Sequence, residues 1–529
     1  MSNSSTWQSL AQTRWFAPLC LGALAFAVRI VPIARNSFDG LYGQDAYAYF
    51  AYAREMFAAL THAQIPPPFW WALGYPFVLN VGFVLGGVNV AAAQGITLLC
   101  GALVAPAAFA LAYEAAPAPK NIAGWVAGLI CALGGQLAQS SVIIMSDAPA
   151  LLFATMGAWL LLAYARTRGT LQLLLAALAV GMAVWTRWQN LIFAVVWLVT
   201  LVTVEWRAAR ATKIWMPRVG AALACIALVL LPQMLIGATT NAPLAGQSWL
   251  EGWSFANFFA RAFDNVDGHF EYALPVAVFY AQAIAHPAYL FAMLTPLFFV
   301  GVARLTVEWN STAEQSLAQN IAQESHATAE QSLAQNIANK LHLTTPAVLL
   351  LGWIAAMLFF LMGIPYENFR FSLGFFSPLA VVTGMGAAQV WARWDSLRMR
   401  AALGAWIAVA LLVMVYWQPR VLAPVLEIKA RELAHARWLE TQLLPKTLVF
   451  TMNIDGALQE YTKLDAQNLW DLKPAKLNPD TPTYLYVDTR NIDAQWRGRL
   501  PDQLMRGLSE TNHLQPLSMF DGWTLYRVW

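Results

Sequence analysis

The chain has 529 residues, of which 59% are hydrophobic and 12% charged, about half the charged share of a soluble protein. Aromatic residues are abundant (24 Trp, 28 Phe, 16 Tyr) and the net charge is only +3. These values exclude a disordered chain, argue against a soluble enzyme, and give no reason to expect nucleic acid as a partner.

A bilayer span needs roughly 20 apolar residues. Such stretches recur at 15–34, 92–113, 121–140, 148–165, 171–186, 189–206, 219–237, 286–304, 345–364, 371–391 and 401–418. The first has an Arg near its end and no small-residue cleavage site, so it reads as a retained helix rather than a signal peptide. Segment 71–90 is ambiguous, because every later loop changes side if it crosses. Kept on the outer face, it leaves thirteen Lys and Arg in inner segments and five (Arg35, Arg54, Arg187, Arg261, Arg370) in outer ones. Counted as a span, it puts twelve of the thirteen outside. The positive-inside rule selects the first arrangement. The expected architecture is therefore an all-α, multi-pass membrane protein with eleven spans. Its N-terminus is cytoplasmic, and segment 71–90 is a re-entrant or interface-lying hairpin broken by Gly74, Pro76 and Gly86-Gly87.

Two outer loops are long, 35–91 and 238–285, and function tends to sit on long loops. The inner loop 305–344 carries TAEQSLAQNIA at 312–322 and again at 328–338, a local duplication of helix-favouring composition. Cys20, Cys100, Cys131 and Cys225 all lie in apolar stretches and read as core residues. The seven His residues form no pair with metal-ligand spacing.

Charge then separates the chain into two parts. Residues 419–529 hold 13 Lys+Arg and 13 Asp+Glu, which is 26 of the 61 charged residues. A membrane domain (1–418, with the first outer loop at 35–91) is expected to precede a small extracytoplasmic α/β domain (419–529). In that tail, 424–443 is amphipathic, TLVFTM (447–452) and TYLYVD (483–488) read as strands, and 455–464 reads as helix. Strands 514–520 and 523–528 flank Asp521-Gly522, a type I′ hairpin signal. The chain contains no GxGxxG, GxxxxGK[ST] or HExxH motif.

Carboxylates beside membrane spans are costly unless solvated or used. Asp39, Asp45 and Glu55 sit in the first outer loop, Asp147 in SSVIIMSDAPALL, Arg187 in WTRWQN, and Glu367 with Arg370 in PYENFRF. The expected topology brings all of them to one face. Segment 45–56 (DAYAYFAYAREM) should form a surface helix with Tyr49 and Tyr52 on the face of Asp45. A carboxylate flanked by tyrosines suits a sugar, but the same pattern also suits an interfacial aromatic belt. Asp147 is equally a helix start before Pro149, and Arg187 equally the headgroup end of a span. Arg370 is placed to hold a phosphate bidentately, and Arg29 to snorkel outward from the first span.

Segment 45–56 resembles the first-loop motif of the GT-C superfamily glycosyltransferases that use a polyprenyl-phosphate sugar. The aminoarabinose transferases and protein O-mannosyltransferases are the nearest kinds. Their motif reads roughly D-E-x-R-Y-A-x-x-A-R-E-M. Here Asp45, Tyr49 and Ala53-Arg54-Glu55-Met56 match, while Ala46 and Ala48 depart from it. PPPFWWALGYPFVL (66–79), MSDAPALLF (145–153), VWTRWQNLI (184–192) and ENFRFSLGFFSPLA (367–380) resemble later family segments. The lysine that precedes the Pro-rich stretch in the aminoarabinose transferases is missing here, which leaves Arg54, Arg187, Arg370 and Arg29 to contact lipid phosphate.

The resemblance implies a GT-C bundle of 11–13 helices in the plasma (inner) membrane. It implies inverting transfer of a hexosyl or pentosyl unit from a polyprenyl-phosphate carrier to a lipid, protein or glycan acceptor of the cell envelope. Asp45 is the implied general base, with Asp147 positioning the acceptor or a divalent cation. Arg370, with Arg187 or Arg54, would hold the leaving phosphate. Tyr49, Tyr52, Trp70 and Trp71 would shape the sugar pocket, with Glu367 beside Arg370. A multi-pass transporter or lipid-carrier flippase is the alternative, and it should show inverted repeats or paired broken helices, which are not found.

Overall fold

The structure is a computed structural model, and it describes residues 16–117, 119–208, 215–240, 252–265, 267–307, 345–393, 396–473, 482–511 and 513–528. The duplicated 312–322 and 328–338 segments lie outside the described residues. The first half contains α1 (Phe16–Asn36), α2 (Gly43–Thr61), α3 (Gly74–Gly86), α4 (Val90–Ala115), α5 (Lys120–Leu133), α6 (Gly135–Val142), α7 (Asp147–Thr167), α8 (Thr170–Thr186), α9 (Leu191–Ala208) and α10 (Trp215–Thr240). A two-stranded antiparallel ribbon, β1 (Ala262–Asn265) and β2 (Gly268–Glu271), precedes α11 (Val276–Ala281). Then come α12 (Ala292–Val307), α13 (Thr345–Gly363), α14 (Phe376–Ala392) and the 46-residue α15 (Leu397–Gln442).

Among the described residues, eight helices are long and apolar enough to cross a membrane, or nine if α5 and α6, bent by 54°, form one span. α8 and α12 are apolar but shorter. With these two, every stretch expected to span has a helical counterpart. Segment 71–90 forms α3, whose 13 residues reach about 20 Å, short of a hydrocarbon core of about 30 Å.

The bundle is tight because small residues meet at helix crossings. A Cβ on Gly386 would lie 1.8 Å from Leu297 O, and one on Gly301 would lie 2.0 Å from Val382 O, so α14 and α12 touch backbone to backbone. Buried charge is matched locally. Glu205, fully buried, accepts from Tyr164 Oη (2.6 Å) and pairs with Arg168 (2.6 Å) and Arg218 (3.4 Å), tying α7, α9 and α10 together.

Arg29 corrects an expectation. It does not snorkel outward to meet phosphate but is fully buried inside the bundle. Its guanidinium donates to Ala132 O (2.9 Å), Cys131 O (3.2 Å) and Ser141 Oγ (3.1 Å). The break between α5 and α6 at Gly134 frees carbonyls that have no intrahelical partner, and Arg29 satisfies them.

The C-terminal unit begins while α15 is still running, since that helix passes without a break through position 418. Beyond it come β3 (Leu448–Thr451), α16 (Asp455–Tyr461), β4 (Asp465–Asn468), β5 (Thr483–Val487), α17 (Thr489–Gln495), α18 (Leu500–Glu510), β6 (Leu514–Phe520) and β7 (Trp523–Val528). The sheet order is β4-β3-β5-β7-β6, with β3 parallel to β4 and β5, and β7 antiparallel to β5 and β6. The β6–β7 turn has Asp521 and Gly522 at φ 46° and 82°, the sign that a type I′ turn requires.

Replacing Arg29 with Met leaves the Cys131 and Ala132 carbonyls unsatisfied inside the bundle. Arg29→Met should destabilise the protein by about 2 kcal/mol or more, read as a lowered Tm in detergent.

Candidate active site

The loop entering α2 turns at Gly40 and Gly43, both in the left-handed region (φ 86° and 60°) where glycine is unstrained. Two contacts hold this loop to the segment before Asp147. Gln94 Nε2 donates to Phe38 O (3.0 Å) and Val142 O (2.9 Å), and Ile144 N donates to Gly40 O (2.9 Å). As a result, Asp45 in the first turn of α2 and Asp147 in the first turn of α7 reach the same end of the bundle.

A third strand of chain joins them. The 365–370 loop is pinned from beneath by tyrosines. Tyr280 Oη donates to Tyr366 O (2.9 Å) and accepts from Asn368 N (3.2 Å), and Tyr289 Oη donates to Phe369 O. Asn368 Oδ1 in turn accepts from Arg370 N (3.2 Å) and opens a 3₁₀ turn. Arg370 Nη2 then meets Asp45 Oδ2 at 2.5 Å.

Arg187, in the break between α8 and α9, forms a second pair with Asp147 Oδ1 at 3.1 Å and also donates to Ser146 Oγ at 3.2 Å. Both guanidiniums lie over the Phe371 ring, that of Arg187 at 5.0 Å and that of Arg370 at 5.6 Å from its centroid. Asp147 is buried, and its Oδ2 has no hydrogen-bond partner. Two ion pairs, Asp45–Arg370 and Asp147–Arg187, thus flank one aromatic ring.

A cavity of about 430 Å³ opens over Asp45 and Arg370. Its inner wall includes Tyr42, Met145, Tyr366 and Asn368, and its outer wall comes from α15 and the C-terminal unit.

The other expected site residues lie outside the cavity, although Tyr49 Oη donates to Ser146 Oγ (3.4 Å), which also accepts from Arg187. Tyr49 and Tyr52 share the helix of Asp45 but are buried against the Pro-rich stretch. Tyr49 packs on Trp71 and Tyr75 (4.9 Å each), while Tyr52 stacks on Phe69 (4.0 Å) and donates to Pro67 O (2.7 Å). Trp71 belongs to this ring cluster and Trp70 is exposed, and none of the four lines the cavity. The rings hold the 66–71 segment in place, because tyrosines on a short surface helix find their apolar neighbours in the chain that follows. Arg54 points away from the pocket and pairs with Glu460 of α16 at 3.5 Å. Glu367 sits between the cavity-lining Tyr366 and Asn368 without lining the cavity itself.

The residues that hold α2 in position were not among those expected. Tyr42 gives α2 no side-chain cap. Glu432 of α15 takes that role, accepting from Gly43 N and Tyr47 Oη at 2.8 Å each. Lys429, one turn earlier, pairs with Asp39 at 3.0 Å and donates to Tyr47 Oη at 3.4 Å, and Tyr461 donates to Asp39. The amphipathic pattern of 424–443 marked a buried face, but nothing in it named the partners. Among the described residues no group of three or more His, Cys, Asp or Glu lies close enough to hold a metal. Asp45 and Asp147 are each already paired with a guanidinium, so these two offer a cation a poor donor set.

Burial pushes the Glu367 carboxyl up to about 7, and its Oε1 has no hydrogen-bond partner. The folded protein therefore keeps this proton at a pH where the unfolded chain has lost it. Stability should fall as pH rises from the ordinary carboxylate range through about 7. Glu367→Gln should flatten the Tm profile across that window, while a profile as steep as that of the unaltered protein would contradict the assignment.

Residues 19–242 match the family model described as dolichyl-phosphate-mannose-protein mannosyltransferase. No curated protein matches the chain by sequence. Among solved structures, the fold is similar to that of ArnT from Cupriavidus metallidurans bound to undecaprenyl phosphate. The TM-score is 0.60 at 12% identity, covering 97% of this chain and 98% of that one. It is also similar to the archaeal oligosaccharyltransferase AglB from Archaeoglobus fulgidus, in complex with an inhibitory peptide and a dolichol-phosphate. Here the TM-score is 0.52 at 12% identity, covering 90% of this chain and 69% of that one. The chain thus has a multi-pass membrane fold similar to those of ArnT and AglB, and residues 19–242, less than half of its length, match the mannosyltransferase family model.

Proposed function

We propose that this protein transfers a hexosyl or pentosyl unit from a polyprenyl-phosphate carrier to an acceptor at the outer face of the plasma (inner) membrane. The observation that carries the reading is the Asp45–Arg370 pair at the floor of the cavity, with Asp147–Arg187 beside it. The ArnT and AglB structures hold undecaprenyl phosphate and dolichol-phosphate respectively, which supports a lipid-phosphate donor here. The excess of Lys and Arg in the loops opposite the site supports an inner N-terminus and an extracytoplasmic unit over 419–529. The likenesses lend no support to the transporter alternative.

In the reaction, an acceptor hydroxyl attacks the anomeric carbon of the donor sugar. The bond from that carbon to the phosphate oxygen breaks, and its electron pair leaves with the lipid phosphate. Asp45 takes the hydroxyl proton. Arg370 is shared between two anions: it holds Asp45 until the donor arrives, then turns its planar fork to the phosphate, where charge grows as the bond breaks. That exchange releases Asp45 from its ion pair at the moment a base is needed. Arg187 keeps Asp147 fixed at the edge of the site, and both guanidiniums pack on the Phe371 ring.

Asp45→Asn keeps the shape of the side chain and removes the base. Transfer from a polyprenyl-phosphate sugar should fall by about 10² or more while the protein still inserts and folds; near-normal transfer by the purified variant would sink the assignment. Arg370→Ala removes the phosphate fork and should weaken binding of undecaprenyl phosphate at least about tenfold. Unchanged affinity for that lipid would take Arg370 out of the donor site.

A further inference from the structure

We infer that the C-terminal unit is the acceptor-binding half of the site, and that the acceptor it takes is a neutral saccharide. The inference rests on the glycosyltransferase reading above and adds to it a place and a chemical class for the acceptor.

The first support is topological. From β3 the chain steps outward through α16 to β4, then returns to pair β5 on the other side of β3. The two connecting helices cover opposite faces of the sheet. Leu458 of α16 packs with Val449 and Tyr486 on one face, and Ile492 of α17 packs with Phe450 and Leu485 on the other. The gap between β3 and β5 is therefore a topological switch point. In open sheets with parallel strands, ligands bind in the crevice outside the carboxyl ends of the strands at such a point.

The second support is the place of that crevice. Asn453 and Ile454 follow the carboxyl end of β3, and Asp488 and Asn491 follow that of β5. All four line the cavity that contains Asp45 and Arg370. Trp523, from the first residue of β7, and His435, on the cavity-facing stripe of α15, complete the outer wall. The crevice thus shares one cavity with the proposed general base.

The third support is chemical. An indole ring packs on the C–H face of a sugar, while amide, carboxylate and imidazole groups exchange hydrogen bonds with its hydroxyls. His435 is 1% exposed and donates or accepts through Nδ1 with Tyr486 Oη at 2.6 Å. Its Nε2 has no hydrogen-bond partner, the nearest carboxylate oxygen being Asp521 Oδ2 at 3.9 Å.

Charge narrows the class. The cavity is lined by three carboxylates (Asp45, Glu432, Asp488) and two guanidiniums (Arg370, Arg431). Arg370 is held by Asp45, and Arg431 leans outward to Asp521 at 3.7 Å. That balance does not favour a phosphorylated acceptor. A peptide acceptor would gain most from an open strand edge. The two strands that bound this crevice, β3 and β5, are interior to the sheet and offer none.

The test uses the full-length protein in lipid nanodiscs and saturation-transfer NMR. The probes are methyl glycosides and neutral disaccharides of the common hexoses, their 6-phosphates, and a hydroxyl-bearing peptide. Undecaprenyl phosphate binding is measured in parallel. Asn491 is exposed, and Asp488→Asn keeps the Oδ1 that accepts from the Arg490 and Asn491 amides (3.0 and 3.3 Å), so both variants should fold. The expected result is binding of a neutral glycoside by the unaltered protein, weakened at least tenfold in Asn491→Ala and Asp488→Asn, with lipid-phosphate affinity unchanged in both. Equal glycoside binding in the variants, no glycoside binding at all, or preference for the 6-phosphates or the peptide would overturn the inference. Failure of the unaltered protein to bind undecaprenyl phosphate would instead overturn the donor reading on which it rests.

Discussion

In a chain with so little charge, each ion held inside the bundle needs a partner, and the partners come from far away in sequence. Arg370 and Asp45 are 325 residues apart, and Glu432 and Gly43 are 389 apart. An unpaired ion in such surroundings is strongly destabilising, so these pairings act as constraints that the helices must meet before they can pack. A second cluster follows the same rule, with Glu205 drawing Arg168 and Arg218 to one point. The outcome is a bundle whose register is set by a handful of charges and whose bulk is set by small-residue crossings such as Gly386 against Leu297.

The site is one product of this constraint. Its two carboxylates lie on different helices, and its two guanidiniums lie at helix breaks rather than in helix interiors. Breaks are where backbone turns to place a side chain across a gap, and here each break has its own tether. Tyr280 and Tyr289 hold the 365–370 loop, and Gln94 holds the approach to Asp147. The Asp45 helix, lacking a local cap, borrows Glu432 from the far end of the chain. The geometry of the site is thus maintained by residues remote in sequence from Asp45, of which Glu432 also walls the cavity.

Much of this was legible in the sequence where the signal was local. The apolar stretches, the surface helix at 45–56 and the Asp521-Gly522 hairpin each have a short-range cause. For segment 71–90, loop charge rather than hydropathy gave the expectation of a non-crossing hairpin, and the helix formed there has 13 residues. Strand β4, Asp-Ala-Gln-Asn, was not readable, since four mostly polar residues carry no alternation and form a strand only because β3 is beside them. The tyrosines and tryptophans around Asp45 were read as a sugar pocket, yet Tyr49 and Tyr52 pack on Phe69 and Trp71, and Trp70 is exposed. Composition gives the presence of rings and not the side to which they turn. The Lys429–Asp39–Tyr461 cluster was invisible for the same reason, because only the completed fold puts these groups in contact.

α15 has a mechanical consequence of its own. Its 46 residues form a rod about 69 Å long that begins within the membrane portion and ends under the C-terminal sheet. One face of that rod, through Ile428, Arg431, Glu432 and His435, is a wall of the cavity. A wall that is also the strut between two bodies leaves little room for a swinging jaw. The place where the strut is soft is the stretch holding Pro419 and Pro424, where two backbone hydrogen bonds are missing within five residues. The stretch beyond those prolines, with Lys429 and Glu432, is tied to Asp39, Gly43 and Tyr47, so flexing at the prolines carries the Asp45 helix along with the C-terminal unit.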